Sequence, residues 1–259
     1  PDQYRNFLCQ TEVKRRIINA PTFRDRIVHQ AIANVVRPLL ERKYIYDSYA
    51  TIKGKGTHRA VRRVQEFMRK AGCDGPVYVL QCDIQKYYPS IDHEVLIEQL
   101  ERTIRDRRVI DLWRKIIHGF SQTGVGVPIG SLTSQIAANV YLDVLDHFVK
   151  ECMHIKYYVR YMDDFILIGN SKEALWRWLD DITWMVDGIL KLKLNRKTKI
   201  YPASRGVDFA GYRTFSGYIL PRKRNIKAAK KRFKELSWKY KHGQIDIKDV
   251  GYRVNSFLG

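Results

Sequence analysis

Apolar residues along this chain change period several times, and each change marks an element. Behind the turn Ala20-Pro21-Thr22, the positions Ile27, Ile32, Val35, Val36 and Leu39 recur at helical spacing. A helix from about Phe23, capped by Thr22, is expected with those residues as its apolar face. Just upstream, Val13 to Ile18 reads as a short strand carrying Lys14, Arg15 and Arg16 in a row. A loop with Gly54-Lys55-Gly56-Thr57 precedes a basic helix from His58 to Lys70. Val77 to Asp83 is apolar and β-branched, with Gly72 and Gly75-Pro76 before it, so it reads as a buried strand.

Helices are expected near His93–Ile104 and Arg108–Phe120. A glycine-rich loop from Gly124 to Gly130 then leads into a helix from about Leu132 to Cys152. Tyr157–Arg160 and Phe165–Ile168 flank Tyr161-Met162-Asp163-Asp164, which predicts a β-hairpin with an acidic pair at its turn. Ala174–Leu190 reads as helix, Lys199–Tyr201 and Val207–Phe215 as strands, and Asn225–Tyr240 as a strongly basic helix. Runs of helices interrupted by a strand and a hairpin predict an α+β fold rather than alternating βαβ units.

Composition sharpens the picture. With 259 residues, 45% of them hydrophobic, the chain suits one large domain or a domain with an appendage. Lys and Arg number 47 against 27 Asp and Glu, a formal net charge of +20, which marks a binder of polyanions, most often nucleic acid. Cys9, Cys73, Cys82 and Cys152 form no C-x-x-C pair, which argues against a zinc knuckle and suits a reducing, cytoplasmic setting. No apolar run is long enough to span a membrane and no signal peptide opens the chain.

The carboxylates carry the candidate chemistry. Nucleotidyl transfer relies on two divalent ions ~3.5–4 Å apart, and magnesium takes hard oxygen ligands. Asp83 ends an apolar strand, and Asp163 and Asp164 sit at the tip of a hairpin with apolar arms. If those strands pair, the acids converge; the alternative is a surface turn, where Asp is common.

These residues resemble the reverse-transcriptase family. Tyr161-Met162-Asp163-Asp164 is similar to its motif C, and Asp83-Ile84-Gln85-Lys86-Tyr87-Tyr88 to motif A. The resemblance implies a right-hand polymerase fold: fingers over 1–75, a palm with an antiparallel sheet over 76–215, carrying a finger-like helical insertion at about 93–125, and the start of a short helical thumb over 216–259. It implies two Mg2+ ions, with Mn2+ as a substitute, held by Asp83, Asp163, Asp164 and the Ile84 carbonyl, with Tyr88 as the gate against a ribose 2′-hydroxyl.

Arg15 and Arg16, beside Pro21-Thr22-Phe23-Arg24-Asp25-Arg26, look like the fingers segment that grips the incoming triphosphate, with Lys14 as an alternative. Lys53 and Lys55, in Lys53-Gly54-Lys55-Gly56-Thr57-His58, resemble the next fingers motif; the Walker A pattern is not satisfied. Lys197 looks like the motif D lysine, a candidate proton donor to pyrophosphate. Phe209-Ala-Gly-Tyr212 resembles the primer grip. Arg222, Lys223, Arg224, Lys227, Lys230 and Lys231 would meet nucleic-acid phosphates.

Motif B is Pro128-Ile129-Gly130-Ser131-Leu132-Thr133-Ser134-Gln135, which puts Ile129, Gly130 and Gln135 at the nucleotide site. Most family members carry Gln before the glycine. The Ile129 and Gln135 form resembles enzymes of diversity-generating retroelements, as do Asp47-Ser-Tyr-Ala50 and Asp146-His-Phe148. That resemblance implies an error-prone RNA-directed DNA polymerase of a prokaryotic cell or its phage. Its partners would be template RNA, a cDNA or primer strand, dNTPs and an accessory basic protein subunit. Alternatives are a group II intron-like or defence-associated bacterial enzyme, a template-independent nucleotidyltransferase, and a catalytically idle nucleic-acid-binding scaffold.

Overall fold

A computed structural model describes residues 3–10 and 15–258. Lys14 lies outside the described residues, as does the side chain of Arg16. Strands β1 (Arg5–Gln10) and β2 (Arg15–Ala20) pair antiparallel, with Arg5 opposite Ala20. Helix α1 (Phe23–Glu41) follows, and the Thr22 hydroxyl caps it by accepting the Asp25 N–H at 3.3 Å. Helix α2 (Thr57–Gly72) leads to β3 (Tyr78–Asp83), a short α3 (Tyr87–Ser90), α4 (His93–Glu101) and α5 (Arg107–Phe120). Then come α6 (Leu132–His147), the hairpin β4 (Tyr158–Tyr161) and β5 (Asp164–Gly169), and α7 (Lys172–Trp184). Beyond it lie β6 (Lys199–Pro202), β7 (Val207–Phe209), β8 (Tyr212–Thr214), β9 (Ile219–Pro221), α8 (Lys223–Lys241) and α9 (Ile247–Leu258).

The central sheet has the order β4-β5-β3-β6, antiparallel throughout. Both of its faces are covered, so the two-residue alternation of each strand sorts into two apolar layers rather than into core and solvent. Leu80, Cys82, Phe165 and Leu167 face the larger layer, shared with α1, α4, α5, α6 and α7. Val79, Ile166 and Ile168 face the smaller one, which α2 closes with Val64, Phe67 and Met68. Strand β3 therefore sits in the middle of the molecule, and its C-terminal residue, Asp83, is held by neighbours on both sides.

Several expectations need correction. The buried face of α1 is His29, Ile32, Ala33, Val36 and Leu40, packed on α6. Ile27, Val35 and Leu39 lie exposed on the opposite side, because apolar residues occur on both faces of this helix. The helix expected through Cys152 is α6 to His147 followed by a wider π turn over Phe148–Cys152, and the helix expected through Leu190 is α7 followed by a π turn over Met185–Ile189. Val207–Phe215 is not one strand. Ala210 and Gly211 both take positive φ, 45° and 92°, and fold β8 back onto β7 as a two-residue hairpin.

Candidate active site

In the sheet, Asp83 is the register partner of Asp164, and Asp164 in turn lies opposite Tyr161. Met162 and Asp163 form the two-residue turn between them, with Met162 at φ 59°. The Ile84 N–H donates to the Asp163 carbonyl at 3.2 Å, so the chain leaving β3 is hydrogen-bonded to the hairpin turn itself. The end of β3 and the acidic turn thus meet, as the apolar arms predicted. Two of the three acids are fixed to each other by strand register and the third by the turn.

Asp164 is half-buried. Burial pushes its pKa up to about 8, with the charges of Asp83 and Asp163 pushing the same way, against a weak Gln81 contact at 3.5 Å and the more distant Arg222 charge. Like charges held close in a partly dry setting disfavour ionisation unless a cation joins them. The donors are carboxylate oxygens with a carbonyl beside them and no His or Cys, which suits a hard cation such as Mg2+. Among the described residues no three His, Cys, Asp or Glu side chains converge on one point. One Asp83 oxygen, Oδ2, accepts the Asn195 side-chain amide at 2.9 Å.

Asn195 was not anticipated. Its backbone N–H also donates to the Asp83 carbonyl at 2.7 Å, and its Oδ1 accepts the Lys197 N–H at 3.1 Å. One residue therefore ties Asp83 to the turn that carries the exposed Lys197. Gln81, two residues before Asp83, was likewise missed: its amide reaches the Asp208 carbonyl at 2.8 Å and accepts the Tyr201 hydroxyl at 2.9 Å. A lone uncharged polar residue, whether in a coil as Asn195 or in a strand as Gln81, carries no signal of such partners. Arg160 in β4 and Asp146 in α6 did carry one, a charge inside an otherwise apolar segment.

Tyr88 is half-buried beside the hairpin, its hydroxyl 3.8 Å from the Met162 sulfur, while Tyr87 is buried and donates to the Ala138 carbonyl. The loop before α6 is strapped to β2: Asn19 N–H donates to the Ile129 carbonyl at 2.8 Å. Gly130 has φ 119°, which favours glycine, and a Cβ there would press on the Ile18 Cγ2 at 2.8 Å. Ser131, Thr133 and His29 form a buried triangle with separations of 2.7–2.9 Å that pins α1 to the start of α6. Arg15 is exposed on β2, and Gln135 is half-buried in the first turns of α6.

Two expected phosphate contacts face elsewhere. The Lys55 ammonium donates to the carbonyls of Tyr46 at 2.6 Å and Ser48 at 2.8 Å, because that loop turns its C=O groups inward. Arg222 stands just before α8 with its guanidinium paired to Asp208. Lys53, Lys223, Arg224, Lys227, Lys230 and Lys231 are exposed.

Comparison with known proteins agrees with this geometry. The profile of the family described as "Reverse transcriptase (RNA-dependent DNA polymerase)" matches residues 10–214. Protein YkfC of Escherichia coli K12 is 26% identical over 253 residues, covering 81% of this chain and 65% of that protein. The group II intron-encoded protein LtrA of Lactococcus lactis subsp. cremoris is 27% identical over 143 residues, covering 52% of this chain and 23% of that protein. Among solved structures, telomerase from Candida tropicalis in complex with a telomeric RNA fragment superposes with a TM-score of 0.65 at 14% identity, covering 85% of this chain and 44% of that one. That likeness concerns the fold, an α+β polymerase fold. The chain thus spans under two thirds of each of these relatives, and among its described residues no helix is long and apolar enough to cross a membrane. With the profile covering most of its length and the end of β3 joined to the acidic turn, the chain belongs to the reverse transcriptase family.

Proposed function

We propose that this chain is an RNA-directed DNA polymerase that copies a template RNA into cDNA, and that it is the error-prone enzyme of a diversity-generating retroelement. The observation that carries the polymerase reading is the register pairing of Asp83 with Asp164, together with the Ile84 N–H on the Asp163 carbonyl. Two Mg2+ ions, or Mn2+ in their place, would be held by Asp83, Asp163, Asp164 and the Ile84 carbonyl. Bound there, they would supply charge stabilisation to the attacking and leaving oxygens.

The chain's own groups orient the substrates in this reading. Tyr88, beside the hairpin, excludes the ribose 2′-hydroxyl. Arg15 and Arg16 on β2 meet the triphosphate, Lys197 gives a proton to the leaving pyrophosphate, and the α8 lysines track duplex phosphates. Fingers correspond to 1–75, palm to 76–215 and the start of the thumb to 216–259. Partners are template RNA, primer strand and dNTPs, joined by an accessory basic subunit.

The test is primer extension on one RNA template with Mg2+, scoring errors opposite each base. Asp163→Asn should abolish extension while leaving duplex affinity within about twofold, since a neutral amide is a poor magnesium ligand. Full extension by Asp163→Asn sinks the polymerase assignment. The retroelement reading rests on Ile129, which has no hydrogen-bonding side chain where most relatives carry Gln. It expects excess errors opposite adenine that fall in Ile129→Gln. An even error spectrum in both proteins leaves an enzyme of the group II intron type, the reading that LtrA favours.

A further inference from the structure

Arg160 is fully buried in β4, three residues before Asp163, and its guanidinium makes four hydrogen bonds to partners on two segments, α6 and the acidic turn. Nε and Nη2 donate to the two oxygens of Asp146 on α6 at 2.7 and 2.6 Å, a bidentate pair that is itself wholly buried. Nη1 donates to Asn139 Oδ1, also on α6, at 3.2 Å and to the Met162 carbonyl, in the acidic turn, at 3.1 Å. Asp146 also accepts the Tyr158 hydroxyl at 2.7 Å, and Asn139 reaches on to the Ala50 carbonyl and the Thr51 hydroxyl, both at 2.8 Å. The backbone of Arg160 joins in, exchanging hydrogen bonds with Asp47 and Tyr49 at 3.0 Å.

A buried ion pair is weak evidence of stabilisation, because apolar residues of similar volume often serve the fold as well. What the guanidinium does here is specific. Met162 is a non-glycine residue held at φ 59°, a conformation that persists only where its surroundings over-determine it. The Arg160 Nη1 grips the carbonyl of that residue, one position before Asp163.

We propose that Arg160, clamped by Asp146 and Asn139, is a positioning residue that locks the Met162 carbonyl and so sets where the acidic hairpin presents Asp163 against Asp83. This deepens the polymerase reading and rests on it. Through the clamp, α6 and the 47–51 loop share one rigid connection to the turn, so the hairpin is placed by the motif B helix as well as by strand pairing.

The test uses the full chain on a primer–template duplex and two variants. Arg160→Lys keeps a buried cation beside Asp146 but cannot make the planar set of contacts. The triple variant Arg160→Met, Asp146→Leu, Tyr158→Phe removes the buried ion pair and the hydroxyl bonded to it, and leaves Asn139 on Ala50 and Thr51. Four quantities are read: melting temperature, duplex affinity, Mn2+ binding by electron paramagnetic resonance, and the kcat and KM of single-nucleotide incorporation. Both variants should bind duplex as wild type does. Both should need about tenfold more Mn2+ for half-saturation and lose about 10–100-fold in kcat with little change in KM, the range seen when groups behind metal ligands are removed.

Wild-type kcat and Mn2+ affinity in either folded variant overturn the proposal. So does a loss of activity that disappears once the assay temperature is lowered to match the fraction folded. If the wild type extends primers and the variants equal it, only the positioning role fails. If the wild type does not extend primers, the polymerase reading fails, and Mn2+ binding, compared with Asp163→Asn, still reports whether Arg160 sets the hairpin.

Discussion

Replacing Gly130 by alanine should damage the junction between β2 and the loop before α6 in a way that can be split into two parts. The first is conformational: φ is 119°, a region that L residues rarely adopt, and holding a side chain there costs about 1–3 kcal/mol. The second is steric: the new Cβ would stand 2.8 Å from Ile18 Cγ2 and 3.4 Å from the Asn19 carbonyl oxygen, and overpacking of that kind costs about 1–3 kcal/mol. Taking about 3 kcal/mol in all, and about 2–4 °C per kcal/mol for a chain of this size, Gly130→Ala should melt about 6–12 °C below wild type.

Gly124→Ala is the control, because its φ is 77° but nothing lies within 4 Å, leaving strain of about 1–2 kcal/mol and a smaller drop. The double variant Gly130→Ala, Ile18→Ala removes the methyl that the new Cβ meets and should recover the steric share alone. Because the Ile129 carbonyl is bonded to Asn19, displacement here should also raise the nucleotide KM by about tenfold, equivalent to about 1.4 kcal/mol. Differential scanning fluorimetry and single-nucleotide kinetics measure both. The reasoning fails if Gly130→Ala melts with Gly124→Ala and keeps the wild-type KM.

Three further outcomes can be checked. Burial lowers the pKa of His29 below its ordinary value, against the opposite pull of Asp25, so the unfolded chain takes up the proton first on acidification. The stability His29 contributes is present above about pH 6.5 and lost below it, and the melting temperature should fall more steeply from pH 7.5 to 5.5 in wild type than in His29→Gln; equal slopes would refute this. Replacing Lys227 and Lys230, both exposed on α8, with Gln should reduce the log–log salt slope of duplex binding by about two, and an unchanged slope would mean that this face is only solvated. Tyr88→Ala should shift incorporation toward ribonucleotides by about tenfold or more, and an unchanged ratio of rNTP to dNTP use would remove Tyr88 from the gate.

What could be read from the chain follows from the range of each signal. The strand ending in Asp83 and the hairpin around Asp163 were legible because local apolar arms and a tight acidic turn declare themselves within about ten residues. The face of α1 was not, since Phe23, Ile27 and Val35 look as core-like as Ile32 and Val36. What decides between them is a buried histidine bonded to Ser131 and Thr133 about a hundred positions away. Lys55 reads as a loop cation, yet its loop consumes its donors. Strands β1 and β9 and helix α9 were missed because they are short or rely on a partner for their pattern. Asn195 was out of reach because the contact that ties it to the site is with Asp83, far away in the chain.

That contact has a consequence for how the molecule forms. Asn195 and Asp83 are 112 residues apart in the chain, and Gln81 and Asp164 are 83 apart. Closing such loops costs entropy before any contact repays it, and non-local strand pairing is intrinsically slow. Helices α4 to α6 lie near one another in the chain and can pack together early, whereas β3 leaves the ribosome long before β5 and β6 exist to flank it. Folding should therefore end, rather than begin, at the sheet, and the candidate active site should appear in the same step as the last cooperative structure. A chain cut between β5 and β6 should keep most of its helices, expose the edge of β3 to aggregation, and have no partial activity.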